Sequence, residues 1–238
     1  MDRENIESRG IAAVSWLNRK LILKIRMHKI IKEEFIAKVG KFFPPETIEF
    51  VFLQFETNSF NFKITRPRIT KKGDFRYSIA HKFPPVISIN SNLCSYEFFL
   101  VFLHELAHLK VFNKYENRVK SHGKEWKGEY KKLLTIALDC VDFPDDIKNS
   151  FYKHLDNIKS SSALDHDLEM VFDSYGVRIP DMVFVKSLNP GDHFICKNEM
   201  FVMDSFARTR ARCTMMKSKR KYLISGLMKV KLVSDKSF

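Results

Sequence analysis

Glycine and proline are scarce in this chain, 8 of each in 238 residues, and so are acids, 28 against 41 basic side chains. A fibrous, Pro/Gly-rich or low-complexity polypeptide is thereby excluded. Cysteine is scarcer still. Cys94, Cys140, Cys196 and Cys213 lie far apart and form no C-x-x-C pair, which excludes a zinc ribbon and a thioredoxin-type redox centre and leaves reduced, buried thiols as the expectation. A long apolar run is also missing. The first candidate, Ile11 to Leu23, is interrupted by Asn18, Arg19 and Lys20, so it fits neither a secretory signal nor a membrane span. The expectation is a cytoplasmic protein that contacts no membrane.

What the chain has in quantity is phenylalanine, 22 residues within a 45% hydrophobic composition, enough apolar surface for a packed core. The length suits one medium domain and a smaller one. A net charge of +13 favours an anionic partner, nucleic acid or a membrane surface, and charge alone does not choose between them. Residues 139–173 hold nine acids against three bases, so the basic excess lies elsewhere in the chain.

Local patterns indicate an α+β fold. Segment 11–40 has helical apolar spacing, with a basic face (Lys20, Lys24, Arg26, Lys29, Lys32) and stop signals at Gly40, Pro44 and Pro45. Ile48 to Phe55 and Phe60 to Thr65 read as two antiparallel strands around a Thr57-Asn58-Ser59 turn, and Val86 to Asn90 as a further strand. Ser95 offers an N-cap to a helix that is apolar on every side from Phe98 to Leu103 and therefore buried. Helices are also expected from Gly123 to Leu138 and from Pro144 to Ile158. Ser160-Ser161-Ser162 reads as a linker. Six short β-like runs follow between Met182 and Val233, the spacing of a small barrel or sandwich. The expected domains are 1–160, with a small antiparallel sheet packed on the buried helix, and a β-rich module at 161–238.

The buried helix runs into His104-Glu105-Leu106-Ala107-His108. Positions four apart on a helix differ by about 40° around the axis and about 6 Å along it, so both imidazoles can hold one zinc ion. Glu105 falls at the edge of that face, where a carboxylate can take a proton from water. In a chain of this composition H-E-x-x-H arises by chance in roughly one case in sixty. Polar groups inside an apolar helix need a chemical reason to be there. A catalytic zinc takes three protein ligands. The metzincin continuation is absent, since Val111 and Lys114 stand where its Gly and His would be. His122, Glu125 and Glu129 remain as third-ligand candidates. His122 is favoured, because Gly123 after it permits a tight turn that brings a helix back past the metal, whereas both glutamates sit among lysines on an amphipathic helix. The remaining histidines, His28, His81, His154, His166 and His193, are expected to be structural or superficial.

With His104-Glu105-Leu106-Ala107-His108-Leu109 and Ser121-His122-Gly123-Lys124-Glu125-Trp126-Lys127, the chain resembles the SprT-like zinc metallopeptidase domain, whose eukaryotic members include the Spartan proteases that act on DNA-protein crosslinks. Gly73-Asp74-Phe75-Arg76, Ile87-Ser88-Ile89-Asn90 and Leu93 extend the resemblance over about residues 33–138. It implies a zincin-like fold, one zinc ion on His104, His108 and His122, Glu105 as the base, and a protein or peptide substrate. Many bacterial relatives carry a four-cysteine ribbon that this chain lacks, although Gly191-Asp192-His193-Phe194 and Arg208 to Cys213 look similar to the extension of some bacterial members.

The expected reaction is endoproteolysis by water. A peptide aligning by strand addition beside Val86 to Asn90 would meet Ile87 and Ile89, and Tyr115 and Tyr130 are candidates for the oxyanion. In the tail Arg208, Arg210 and Arg212 alternate, which on a strand would turn all three to one face. Lys217, Lys219, Arg220 and Lys221 follow with no acid from 208 to 221. Phe206 and Tyr222 flank this run and suit base stacking, so it reads as a DNA contact, with a solvated basic face as the alternative. No internal repeat or other pattern specifies an oligomer.

Overall fold

The structure, a computed structural model, describes residues 31–68, 70–78, 82–158, 166–176 and 181–233. The basic positions Lys20, Lys24, Arg26 and Lys29, the serine linker, His28 and His81 lie outside them. Helix α1 occupies 31–39. It is followed by α2 (Ile48–Thr57), β1 (Asn61–Thr65), β2 (Gly73–Arg76), β3 (Val86–Asn90), α3 (Ser95–Tyr115), α4 (Lys124–Cys140), α5 (Asp145–Asp156) and α6 (His166–Tyr175). Then come six strands: β4 (Met182–Phe184), β5 (His193–Cys196), β6 (Glu199–Ala207), β7 (Arg210–Met215), β8 (Lys221–Ser225) and β9 (Lys229–Val233). The α+β expectation holds.

Helix α3 is the axis of the first core. Phe98, Phe99, Leu100, Phe102, Leu103 and Leu106 are all buried, as an all-round apolar helix requires. Phe43 meets Phe98 and Phe102 edge-on, at 5.0 and 5.4 Å between centroids, and Phe55 stacks on Phe102 at 5.6 Å. Each such pair adds about 0.5–1.5 kcal/mol beyond simple burial. The first residue inside α3 is Ser95. Cys94 caps it, with no side-chain hydrogen bond, so the expected serine cap is displaced by one position.

Ile48 to Phe55 is a helix and not the expected strand. The β-forming side chains mislead, because Ile48, Val51 and Phe55 recur at helical spacing, and packing on α3, with Phe50 on Phe99 and Phe55 on Phe102, decides between the two. The sheet also differs. It has three strands in the order β1-β3-β2 and is mixed, with β1 parallel and β2 antiparallel to β3. Strand β3 is therefore central, and Ile87 and Ile89, both 0% exposed, face the core.

The C-terminal strands form one antiparallel sheet in the order β4-β9-β5-β6-β7-β8, over a second core that includes Phe194, Met203, Ala211, Cys213 and Val230. All six sequence-expected runs are strands. The expected boundary at 160 moves, however. Leu168 and Phe172 of α6 are buried in the first core, so that helix belongs to the N-terminal unit. Lys186 pairs with Asp167 at 3.0 Å, and Lys229 pairs with Asp173, linking α6 to the second sheet. Among the described residues no helix is long and apolar enough to cross a membrane.

Candidate metal centre

Three imidazoles converge, two from α3 and one from the loop that enters α4. The Nε2 atoms of His104, His108 and His122 form a triangle with sides of 3.3, 3.1 and 3.1 Å. Nitrogens bound to a tetrahedral ion at about 2.0–2.1 Å stand about 3.3 Å apart, so this donor set fits a zinc-sized ion. Burial depresses all three histidines below their ordinary pKa, most strongly His104 and less so His108, which falls to about 4, with the neighbouring rings adding to the effect on those two. Neutral imidazoles with free lone pairs are what a metal needs. His122 is exposed, so the triangle opens to solvent on that side.

Among the described residues, this is the group of histidine, cysteine and acidic side chains close enough to hold a metal ion. His122 is thus the third member; Glu125 and Glu129 are outside the group. Gly123 is the N-cap of α4 with an ordinary φ of −72°, so no left-handed turn is needed there; crowding against the Lys120 carbonyl, 3.1 Å from where a Cβ would lie, is the local constraint.

Trp126 is the floor of the site. It is fully buried, its ring centroid is 4.5, 5.4 and 4.7 Å from those of His104, His108 and His122, and its indole N–H donates to the His104 carbonyl at 3.3 Å. Tyr130, one helical turn on, stacks beneath it, and its hydroxyl lies 3.2 Å from His154 Nε2 of α5. His154, 2% exposed, is structural, one of the two expectations for it, whereas the place of Trp126 beside the imidazoles is not foreseen. The available signal is the interval of four between Trp126 and Tyr130, which places them on one side of α4, the helix that His122 leads into.

Glu105 is only 6% exposed, and burial, reinforced by Asp74 and opposed by Arg68 and Lys71, lifts its pKa to about 8. It and the three histidines line a cavity of about 840 Å³, a size that admits a segment of peptide. Phe75 lies parallel to the His108 ring at 6.3 Å, and Tyr77 stacks on Phe112 at 4.3 Å, giving that wall an aromatic surface. Tyr130 lines this cavity. Ile87 and Ile89 do not. Their strand is paired on both sides and can accept no further strand, so the expected substrate contact is corrected: among the described residues β1 and β2 are the edge strands, and β2 is the one that lines the cavity.

Beside Gly73, Lys72 reaches between Glu97 of α3 and Glu169 of α6. Burial alone would lower the Lys72 pKa, but the two carboxylates outweigh it and raise it; Glu97 is raised by its own burial despite the lysine. Lys72→Met strands two poorly hydrated carboxylates, and a loss of about 3–5 kcal/mol follows at neutral pH. A carboxylate with a raised folded-state pKa weakens the fold as pH rises, so the deficit relative to wild type shrinks as pH falls toward about 4.5. Urea midpoints of both proteins at pH 7.5 and 5 measure this, and an equal deficit at both would contradict it.

The basic tail is divided by the fold. Arg210 and Arg212 point outward from β7 between the buried Ala211 and Cys213, with Lys221 and the exposed Leu223 on neighbouring β8. Arg208 sits in the β6–β7 turn with φ of 48°, and Lys219 and Arg220 lie in the β7–β8 turn at the other end. The expected alternation of three arginines on one strand face therefore applies to two. The thiols are free; Cys213 is buried and Cys196 partly so, whereas Cys140 is exposed, against the expectation that all are buried. Comparison with protein families, with curated proteins and with solved structures finds no match to this chain.

Proposed function

We propose that this protein is a zinc-dependent endopeptidase of the SprT-like type, with a zincin-like catalytic domain, that acts on DNA-bound proteins. The observation that carries the reading is the triangle of imidazole nitrogens with a buried carboxyl on the next helical position, at the bottom of an open cavity. His104, His108 and His122 would hold the zinc, which when bound supplies Lewis acidity and brings the pKa of water toward neutrality. Glu105 accepts the proton of the attacking water and passes it to the leaving amine. A buried carboxyl held one residue from a ligand is placed for both transfers. The free edge of β2 offers backbone hydrogen bonds to an extended peptide, and the Tyr130 hydroxyl is the candidate partner for the oxyanion. Arg210, Arg212 and Lys221 on one sheet face, with Arg208, Lys219 and Arg220 at the hairpin ends, are the proposed DNA contacts.

The test is hydrolysis of a histone by the zinc-loaded and the chelated protein, with and without single-stranded DNA. Cleavage is expected only with zinc, restored by adding it back, and faster when DNA holds enzyme and substrate together. No cleavage by the zinc-loaded protein in either condition would favour a zinc-containing DNA-binding protein or adaptor.

A further inference from the structure

The four residues of β2 hold a glycine against the helix that carries the metal ligands. A Cβ added at Gly73 would lie 2.4 Å from Glu105 Oε1, 2.9 Å from its Cγ and 2.6 Å from Val101 Cγ1. Gly73 has no positive φ, so its backbone suits any residue, and the requirement for glycine is one of space. The main chain of β2 touches the carboxyl end of Glu105 directly.

The strand cannot retreat from that contact. The Asn90 N–H donates to the Lys72 carbonyl at 2.9 Å, and the Asn90 side-chain amide donates to the Lys71 and Arg68 carbonyls at 2.9 and 3.1 Å. Lys72 is tied to Glu97 and Glu169, and Asp74 pairs with Lys71 and Arg76. Val101 of α3 is buried in the first core. The group best able to move is the Glu105 carboxyl, the far end of a flexible side chain.

We propose that the β2 backbone at Gly73 is the wall that fixes the Glu105 carboxyl beside the three imidazoles, making Gly73 a positioning residue for hydrolysis. This rests on reading Glu105 as the general base. A methyl group at residue 73 swings the carboxyl aside without touching a metal ligand. Misplacing a catalytic group by about 1 Å lowers turnover by about a hundredfold.

The experiment compares wild type, Gly73→Ala, Glu105→Ala and the double variant, each loaded with zinc. Gly73→Ala is expected to bind one equivalent of zinc, to keep KM within about twofold, and to lose about 30- to 100-fold in kcat on an unfolded protein substrate. Its fall in Tm is expected to be at least halved in the Glu105→Ala background, where the obstructing side chain is gone. Unchanged kcat, or an equal fall in Tm in both backgrounds, overturns the proposal. Should Gly73→Ala not fold, Gly73→Ala/Val101→Ala removes the other clash and carries the same comparison. A wild type without activity would sink the peptidase reading, and the Tm cycle would still decide whether Gly73 holds Glu105.

Discussion

Under the proposed mechanism, Glu105→Gln is expected to lower peptide hydrolysis by about a thousandfold or more in the zinc-loaded protein. Glutamine has the shape of glutamate, so the fit against Gly73 and the burial on α3 are kept. What disappears is a group able to accept and return a proton, and positioned acid–base groups contribute about 10²–10⁴-fold. The ligands remain, because His104 and His108 are set by α3 and His122 by the entry to α4. Metal-free stability should hold or rise: burial raises the Glu105 pKa, an ionised carboxylate there opposes folding above its ordinary pKa, and the amide has no such penalty. Zinc content, Tm with and without chelator, and the hydrolysis rate together check the prediction. Equal rates for the two proteins would remove Glu105 from the mechanism, and loss of zinc would show that the carboxyl supports the ligands.

The parts of this site legible in the sequence are those fixed by helix geometry. Spacing of four aligns His104 with His108 on any helix, and the apolar run before them announces burial whatever the rest of the fold. His122 was one of three candidates, since a ligand that arrives through a loop has no periodicity to declare it. Strand roles were harder. Val86 to Asn90 and β2 are both short, and no local pattern says which is central; pairing order is a long-range property, and it is what disqualifies Ile87 and Ile89 and leaves Gly73–Arg76 as an edge strand beside the cavity. In α2 the residue types favoured strand while their spacing favoured helix, and packing on α3 settled the conflict. In the C-terminal sheet alternation located every strand, yet the insertion of β9 between β4 and β5 is unreadable locally. For His154 the sequence leaves structural and superficial roles open, and the packing of α5 on α4, which brings it to Tyr130, decides for the structural one.

Trp126→Ala should have the largest effect of any substitution that spares both ligands and base. The indole is fully buried and faces all three imidazoles. Removing so large a core side chain costs about 3–5 kcal/mol from lost burial and the cavity left behind. A second loss is specific to the metal. The indole holds the rings of His104 and His122 in place and bonds the backbone of α3 at the His104 carbonyl, and disturbing such supporting contacts weakens metal binding by about 10- to 100-fold. Trp126→Phe separates the two effects: it keeps an aromatic floor and most of the packing but loses the N–H donor, so its stability should lie nearer wild type while zinc affinity falls less than in Trp126→Ala. Urea unfolding in the presence of chelator gives the packing cost, and competition for zinc against a chromophoric chelator gives the affinity. If Trp126→Ala retains wild-type zinc affinity while losing stability, the tryptophan is core filling alone, and the histidine triangle is held by the backbones of α3 and the α4 entry without it.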